Sequence, residues 1–413
     1  MSQRHWRFII KTVFLICLLL ILVWGGAFFA VRFNLTNTKG EIDKNNNFYQ
    51  NYYNEMERQA GGLSQVDPEK LESKKTWSEE ELEKMKLTEI SEQLKNLSGV
   101  SQQLQEWQKI KQIELCQIDA LGSVYPVNAV NILNVFSNNY QHRLIEEMLF
   151  TADLRLKNNP EFQNKLTACT DKDNNPDKED WLNKYKEEDL FNRYKNKKGS
   201  NLFSWSNDEN WEVITKAVLK DKEVLELVAA RVGIKPRLIV SVLIVEQLRL
   251  YHTQRELFEK FFKPLNILAD ANKMAWGVMA IKEKTALEIE KGLKDSNSSF
   301  YLGKENEKVL DFNTNDVSKE RYDRLTSREH YYSYLYGALF LKQIINQWQL
   351  AGYDIGKRPE ILATIFNLGP SKSKPKAEPL VGGSTISIGE ENYTFGGLAH
   401  EFYYSGLMPE FAY

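Results

Sequence analysis

Pro236-Arg-Leu-Ile-Val-Ser-Val-Leu-Ile-Val-Glu246 predicts a helix that is apolar on almost every face and closes on a carboxyl. Proline suits the first helical turn, where its fixed φ is already helical and its missing N–H had no partner to lose. From Leu238 to Val245 only Ser241 interrupts the apolar run. A helix without a polar face belongs in a core. Burial at the mouth of such a helix strips a carboxyl of water. That favours its protonated form and suits it to general acid catalysis. The plainer alternative is a partly exposed Glu246 paired with Arg249 or Lys260.

Two later segments bear on that choice. Ala275-Trp276-Gly277-Val278-Met279-Ala280-Ile281 follows after about thirty residues, with Thr285-Ala286 just beyond it. Arg358 to Pro370, containing Ile365-Phe366-Asn367-Leu368-Gly369-Pro370, comes after a long apolar helix expected from about Tyr331 to Leu350. In this order the three segments resemble the lysozyme-like lytic transglycosylases of the soluble-transglycosylase type, a glycoside hydrolase family 23-like group. The family's helix begins near a proline and ends in the catalytic glutamate. A Gly-Leu-Met-Gln-Ile segment follows it, and an Ala-Tyr-Asn-Ala-Gly-Pro segment comes later. The resemblance covers roughly residues 206–413. Three positions depart from it: Gln247 stands where the family has Ser, Ala280 where it has Gln, and Phe366 where it has Tyr.

The resemblance implies a single catalytic carboxyl, Glu246, acting on the bond between N-acetylmuramic acid and N-acetylglucosamine. Glu246 gives a proton to the glycosidic oxygen and then takes one from the muramic 6-hydroxyl as that oxygen closes on its own anomeric carbon. Gly277, Met279 and Asn367 are the substrate-binding positions carried over, with Trp276 and Tyr393 as further groove candidates. Asn367 offers both a donor and an acceptor, and a helix C-cap beside Gly369 is its plainer role. Met279 and Trp276 suit either the groove wall or the core, with core the stronger reading for Met279. A hydrolase of the lysozyme type would want a second carboxylate, for which Glu259 and Asp270 are the nearest candidates. The three departures also keep open a catalytically inactive glycan-binding or assembly module of a cell-envelope machine.

Around these motifs, Ser206 with Glu209 has capping-box spacing and predicts a helix running to about Val232, ended by Gly233. Lys372, Lys374 and Lys376 mark a basic loop. Val381–Ile388 and Tyr393–Phe395 predict a small β-hairpin turning at Gly389–Asn392, and a helix from Gly397 to about Tyr404 closes the chain.

Upstream, Ser78 with Glu81 opens an amphipathic helical region whose apolar residues recur every three or four positions. A second helical block runs from Pro126 to Lys165. Cys116 and Cys169 bracket it and are the candidates for a disulfide stapling a small helical domain; buried free thiols are the alternative. Residues 78–200 are also the candidate surface for envelope-assembly partners, and a third reading makes this region a helical scaffold in its own right. Asp171 to Asp177 alternates oxygen-bearing residues, but Pro176 and Leu182 spoil a calcium loop, leaving a solvated acidic turn.

Thr12 to Val31 is uncharged. At about 1.5 Å per residue it spans a hydrocarbon core of roughly 30 Å, and no second run of that length follows. Arg4, Arg7 and Lys11 before it give a small positive-inside bias. A cleaved signal peptide is the rival, disfavoured by the length of the run and by Phe28 before Ala30. The expected organisation is a cytoplasmic tail (1–11), a transmembrane anchor (12–31), a tether (32–76), a helical membrane-proximal domain (77–205) and a lysozyme-like α-rich domain with a small hairpin (206–413). That makes the chain a mostly α, single-pass protein of the cell membrane with its C-terminal part extracytoplasmic and peptidoglycan glycan strands as its partner. The tether reaches about 150 Å if extended. With 54 basic and 56 acidic residues and a net charge of −2, no nucleic-acid partner is expected. Five scattered histidines without metal-ligand spacing predict neither a metal nor another cofactor.

Overall fold

The computed structural model describes residues 97–170, 184–207, 209–252, 275–379 and 381–413. The expected anchor at 12–31, the tether, the Ser78 helix start, the acidic turn after Thr170, and Glu259, Lys260 and Asp270 lie outside them. Among the described residues no helix is long and apolar enough to cross a membrane. The described part is mostly α.

Among the described residues the first five helices are α1 (Leu97–Val124), α2 (Pro126–Asn138), α3 (His142–Leu156), α4 (Pro160–Thr170) and α5 (Glu187–Tyr194). Cys116 on α1 and Cys169 on α4 form a disulfide. It closes a loop of 53 residues, which limits the unfolded chain and stabilises this unit by about 2–4 kcal/mol.

The remaining helices are α6 (Glu209–Lys220), α7 (Lys222–Val232), α8 (Pro236–His252), α9 (Glu283–Lys294), α10 (Val317–Thr326), α11 (Tyr331–Leu350), α12 (Pro359–Leu368) and α13 (Phe395–Tyr404). Two antiparallel pairs interrupt them: β1 (Ala275–Trp276) with β2 (Ile281–Lys282), and β3 (Thr385–Ile388) with β4 (Glu391–Thr394). The apolar helix that ends near Glu246 is the hub. α8 buries Leu238 to Glu246 without a gap and packs against α6, α7, α11, α12, α13 and β3.

Two expectations are corrected here. Ser206 does not cap a helix: it lies in a 3-10 turn, and its hydroxyl donates to the Phe203 carbonyl at 2.7 Å. The single helix expected to reach Val232 breaks at Asp221. There the carboxylate is engaged by distant partners, accepting from the Tyr334 hydroxyl at 2.7 Å and lying 2.6 Å from His330 Nδ1. Gly233 does end the second piece, in the left-handed region at φ 70°.

The helices upstream of 206 share one apolar core with those downstream, running from Leu115 to Tyr413. Polar groups stitch the same seam. Arg155 on α3 grips Glu401 on α13 through Nε at 2.7 Å and Nη2 at 2.9 Å, and Glu391 on β4 through Nη1 at 3.0 Å. The indole N–H of Trp205 donates to the same Glu401 at 2.7 Å. Beside it, buried His400 lies 3.3 Å from Glu360 and 3.0 Å from the Thr151 hydroxyl. That hydroxyl gives its own proton to the Glu147 carbonyl, so His400 Nε2 is the donor.

Glu360 is fully buried and pairs with Arg358 as well as His400. Burial pushes its carboxyl up, but Arg358 and His400 outweigh that and hold it at about 2. A carboxyl depressed in the folded state stabilises the fold above its ordinary value of 4.5, and that stability drains away as pH falls toward about 2. Glu147 has the opposite sign: burial raises its carboxyl, so it weighs against the fold at neutral pH and less so in acid. Urea midpoints measured from pH 5 to 2 should therefore fall less steeply in Glu360→Gln than in the wild type. Parallel acid limbs would show that Glu360 carries no such linkage.

Candidate active site

α8 delivers Glu246 to its last turn but one, where the side chain is 4% exposed. Arg249, one turn on, donates through Nε to Oε2 at 3.0 Å and also contacts Oε2 through Nη2. Oε1 has no partner among the described residues. The carboxyl thus combines both readings: it is buried as a catalytic acid would be, and it is paired with Arg249. The next residue ties the helix to the second motif, because Gln247 Nε2 donates to the Val278 carbonyl at 2.9 Å.

That second motif is a tight turn between β1 and β2. The Ala280 N–H donates to the Gly277 carbonyl at 3.0 Å. Gly277 adopts φ 68° and Ala280 φ 48°. No side chain fits at 277, where a Cβ would lie 2.1 Å from the Leu325 carbonyl and 2.7 Å from the Ser333 hydroxyl. The Met279 N–H donates to Ser333 at 3.1 Å, and its fully buried side chain lies where any Cβ on Gly337 would fall, 2.7 Å from its terminal methyl. Met279 is therefore core. Trp276 is also buried and meets Tyr322 edge-on at 5.2 Å. Gly277→Ala should destabilise the fold by more than about 1 kcal/mol, since clash and strain add. A melting temperature within a degree of wild type would mean that the turn adapts.

Asn367 sits at the end of α12, but Gly369 makes the cap with φ 94°. The amide oxygen of Asn367 accepts from Ser384 N at 2.9 Å and from the Ser384 hydroxyl at 3.1 Å. Its NH₂ has no partner among the described residues. Phe366, where the family has Tyr, is packed on Phe340 with ring centres 5.2 Å apart. Ser384 leads into β3, which packs on α8. Tyr393, 2% exposed, belongs to the Arg155 seam: its hydroxyl donates to Glu391 at 2.6 Å and lies 2.7 Å from Ser204, with Arg155 over its ring.

Comparison with family models, with curated proteins and with solved structures finds no match. The geometry alone carries the functional argument. It brings Glu246, Gln247 and the 277–280 turn into one unit and leaves two N–H donors of Asn367 without a partner among the described residues. It encloses Met279, Trp276 and Tyr393. Ser333, which accepts from Met279 N–H, and Ser384, which donates to Asn367, are the partners that the motifs did not single out, whereas Arg249 was the expected partner of Glu246. Among the described residues no group of three His, Cys, Asp or Glu side chains is placed to hold a metal ion.

Proposed function

We propose that this chain is a membrane-anchored lytic transglycosylase that cuts peptidoglycan glycan strands with Glu246 as its one acid and base. The observation that carries the reading is the junction at the end of α8. There a buried carboxyl, one oxygen of which is unpartnered among the described residues, is locked through Gln247 and Val278 to the turn bearing Gly277 and Met279.

In the first half of the reaction Oε1 gives a proton to the glycosidic oxygen. The bond from that oxygen to the muramic anomeric carbon breaks, and N-acetylglucosamine leaves as an alcohol. In the second half the muramic 6-hydroxyl bonds to the anomeric carbon and returns its proton to Glu246, so no water is consumed. Arg249 holds Oε2 throughout and stabilises the carboxylate formed between the two halves. The N-acetyl group supports the positive centre, and the NH₂ of Asn367 supplies donors to sugar oxygens or the amide. The Cys116–Cys169 disulfide suits an exported, oxidising compartment, in keeping with an extracytoplasmic C-terminal part.

A second reading is favoured by a specific observation. With Arg249 on Glu246, Phe366 and Ala280 apolar, and Trp276 and Tyr393 enclosed, the same fold suits an inactive glycan-binding or envelope-assembly module. Digestion of purified peptidoglycan by the full-length protein separates the two. The transglycosylase releases muropeptides ending in 1,6-anhydromuramic acid, whereas pull-down by glycan without any released product favours the binding module.

A further inference from the structure

Between the end of α10 and the start of α11 lies a hollow of about 300 Å³ lined by Asp323, Arg324, Ser327, Glu329, Tyr331 and Tyr332. That is the lower end of the range for small-molecule sites. Two residues next to lining positions in the chain, Leu325 and Ser333, are the ones packed against Gly277.

Its lining carries one arginine and two carboxylates. Arg324 is fixed: its guanidinium lies 4.6 Å from the ring centres of both Phe312 and Tyr332. Its Nε donates to Glu320 at 2.9 Å and its Nη1 to the Asp311 carbonyl at 3.1 Å. Only 12% of the side chain is exposed. Its Nη2 edge has no protein partner among the described residues. Of the two carboxylates, Asp323 is taken by Lys319 at 2.6 Å. Glu329 has no ion pair or side-chain hydrogen bond among the described residues. Tyr331 and Tyr332, edge to face at 5.2 Å, supply an aromatic wall.

Arg324, with one edge unpartnered among the described residues, and Glu329, unpaired among them, therefore line a single small space. A polyanion would meet Glu329, a simple cation would meet Arg324, and a neutral sugar would bring no charge to either. We propose that this hollow binds a small zwitterion of the amino-acid or short-peptide class. Its carboxylate lies on Arg324 Nη2, its ammonium on Glu329, and its apolar part against Tyr331 and Tyr332. The proposal goes beyond glycan cleavage and does not depend on it.

Saturation-transfer NMR on the full-length protein in detergent tests this with alanyl-alanine, its N-acetyl and C-amide forms, free alanine and N-acetylglucosamine as probes. The zwitterionic dipeptide should bind. Capping either end should weaken binding at least about tenfold, the effect of losing one charge-assisted contact. Glu329→Gln, an exposed substitution that leaves the packing intact, should weaken the dipeptide to the level of its N-acetyl form. Glu246→Gln should leave binding unchanged, which keeps this result separate from the fate of the catalytic reading. Free alanine binding as well as the dipeptide would identify the amino acid as the ligand, and preference for the dipeptide would identify a peptide end. No binding, equal binding of the capped forms, or preference for N-acetylglucosamine would overturn the proposal.

Discussion

Glu246→Gln should lower the rate of glycan cleavage by about 10²–10⁴-fold, the range that one positioned acid–base group supplies. Gln keeps the size of the side chain and an oxygen for Arg249, so α8 should keep its place. The expected signature is a collapsed turnover with glycan affinity nearly unchanged, because the lost proton matters only in the transition state. Arg249→Met should have a smaller effect, since Arg249 holds the carboxylate and transfers no proton. A Glu246→Gln variant within about threefold of wild type would move the acid elsewhere, and Glu259 and Asp270 would be the first to examine.

Arg237→Met should destabilise the protein by at least about 3 kcal/mol. Arg237 opens the same helix and is wholly buried, yet it makes no close ion pair among the described residues, and Glu410 acts on it only from a distance. Its guanidinium donates to four backbone carbonyls at the end of the chain: Phe402 at 3.0 Å, Tyr403 at 2.9 Å, Leu407 at 2.8 Å and Met408 at 3.0 Å. The ring of Tyr413 lies 4.1 Å from it. Burial lowers its basicity from the ordinary arginine value. Methionine fills much of the same volume but strands those carbonyls away from water, and the last turn of α13 would lose its cap. Urea unfolding measures the loss. A cost below about 1 kcal/mol would show that the C-terminal strap is held by its apolar contacts alone. Because Arg237 and Glu246 share one rigid helix, the variant should also lower activity through misplacement of the acid.

What was legible in the sequence follows a physical divide. Local pattern was enough for the long helix from Tyr331 to Leu350, the proline start of α8, the stop at Gly233 and the hairpin around Gly389, because apolar periodicity, fixed φ and left-handed φ are properties of neighbouring residues. Partnerships across the chain were not legible. Ser206 and Glu209 spell a cap, but the Phe203 carbonyl took the hydroxyl. Asp221 looks like one more helical acid, yet His330 and Tyr334, more than a hundred residues on, draw it out of the helix. Nothing near Arg237 in the sequence points to a partner for it, and only the folded C-terminus supplies its four carbonyls. Gln247 shows the divide within the site. Against the family pattern it is a lost serine. In the fold it is the side chain that joins the acid's helix to the glycine turn, which no spacing rule would have indicated.

The central claim is that Glu246 closes a sugar on itself without water, and digestion of purified peptidoglycan in water enriched with oxygen-18 tests it most directly. Mass spectrometry of the released muropeptides should show anhydromuramic ends free of the label, absent from the Glu246→Gln digest. Labelled reducing ends, or no released product at all, would contradict it.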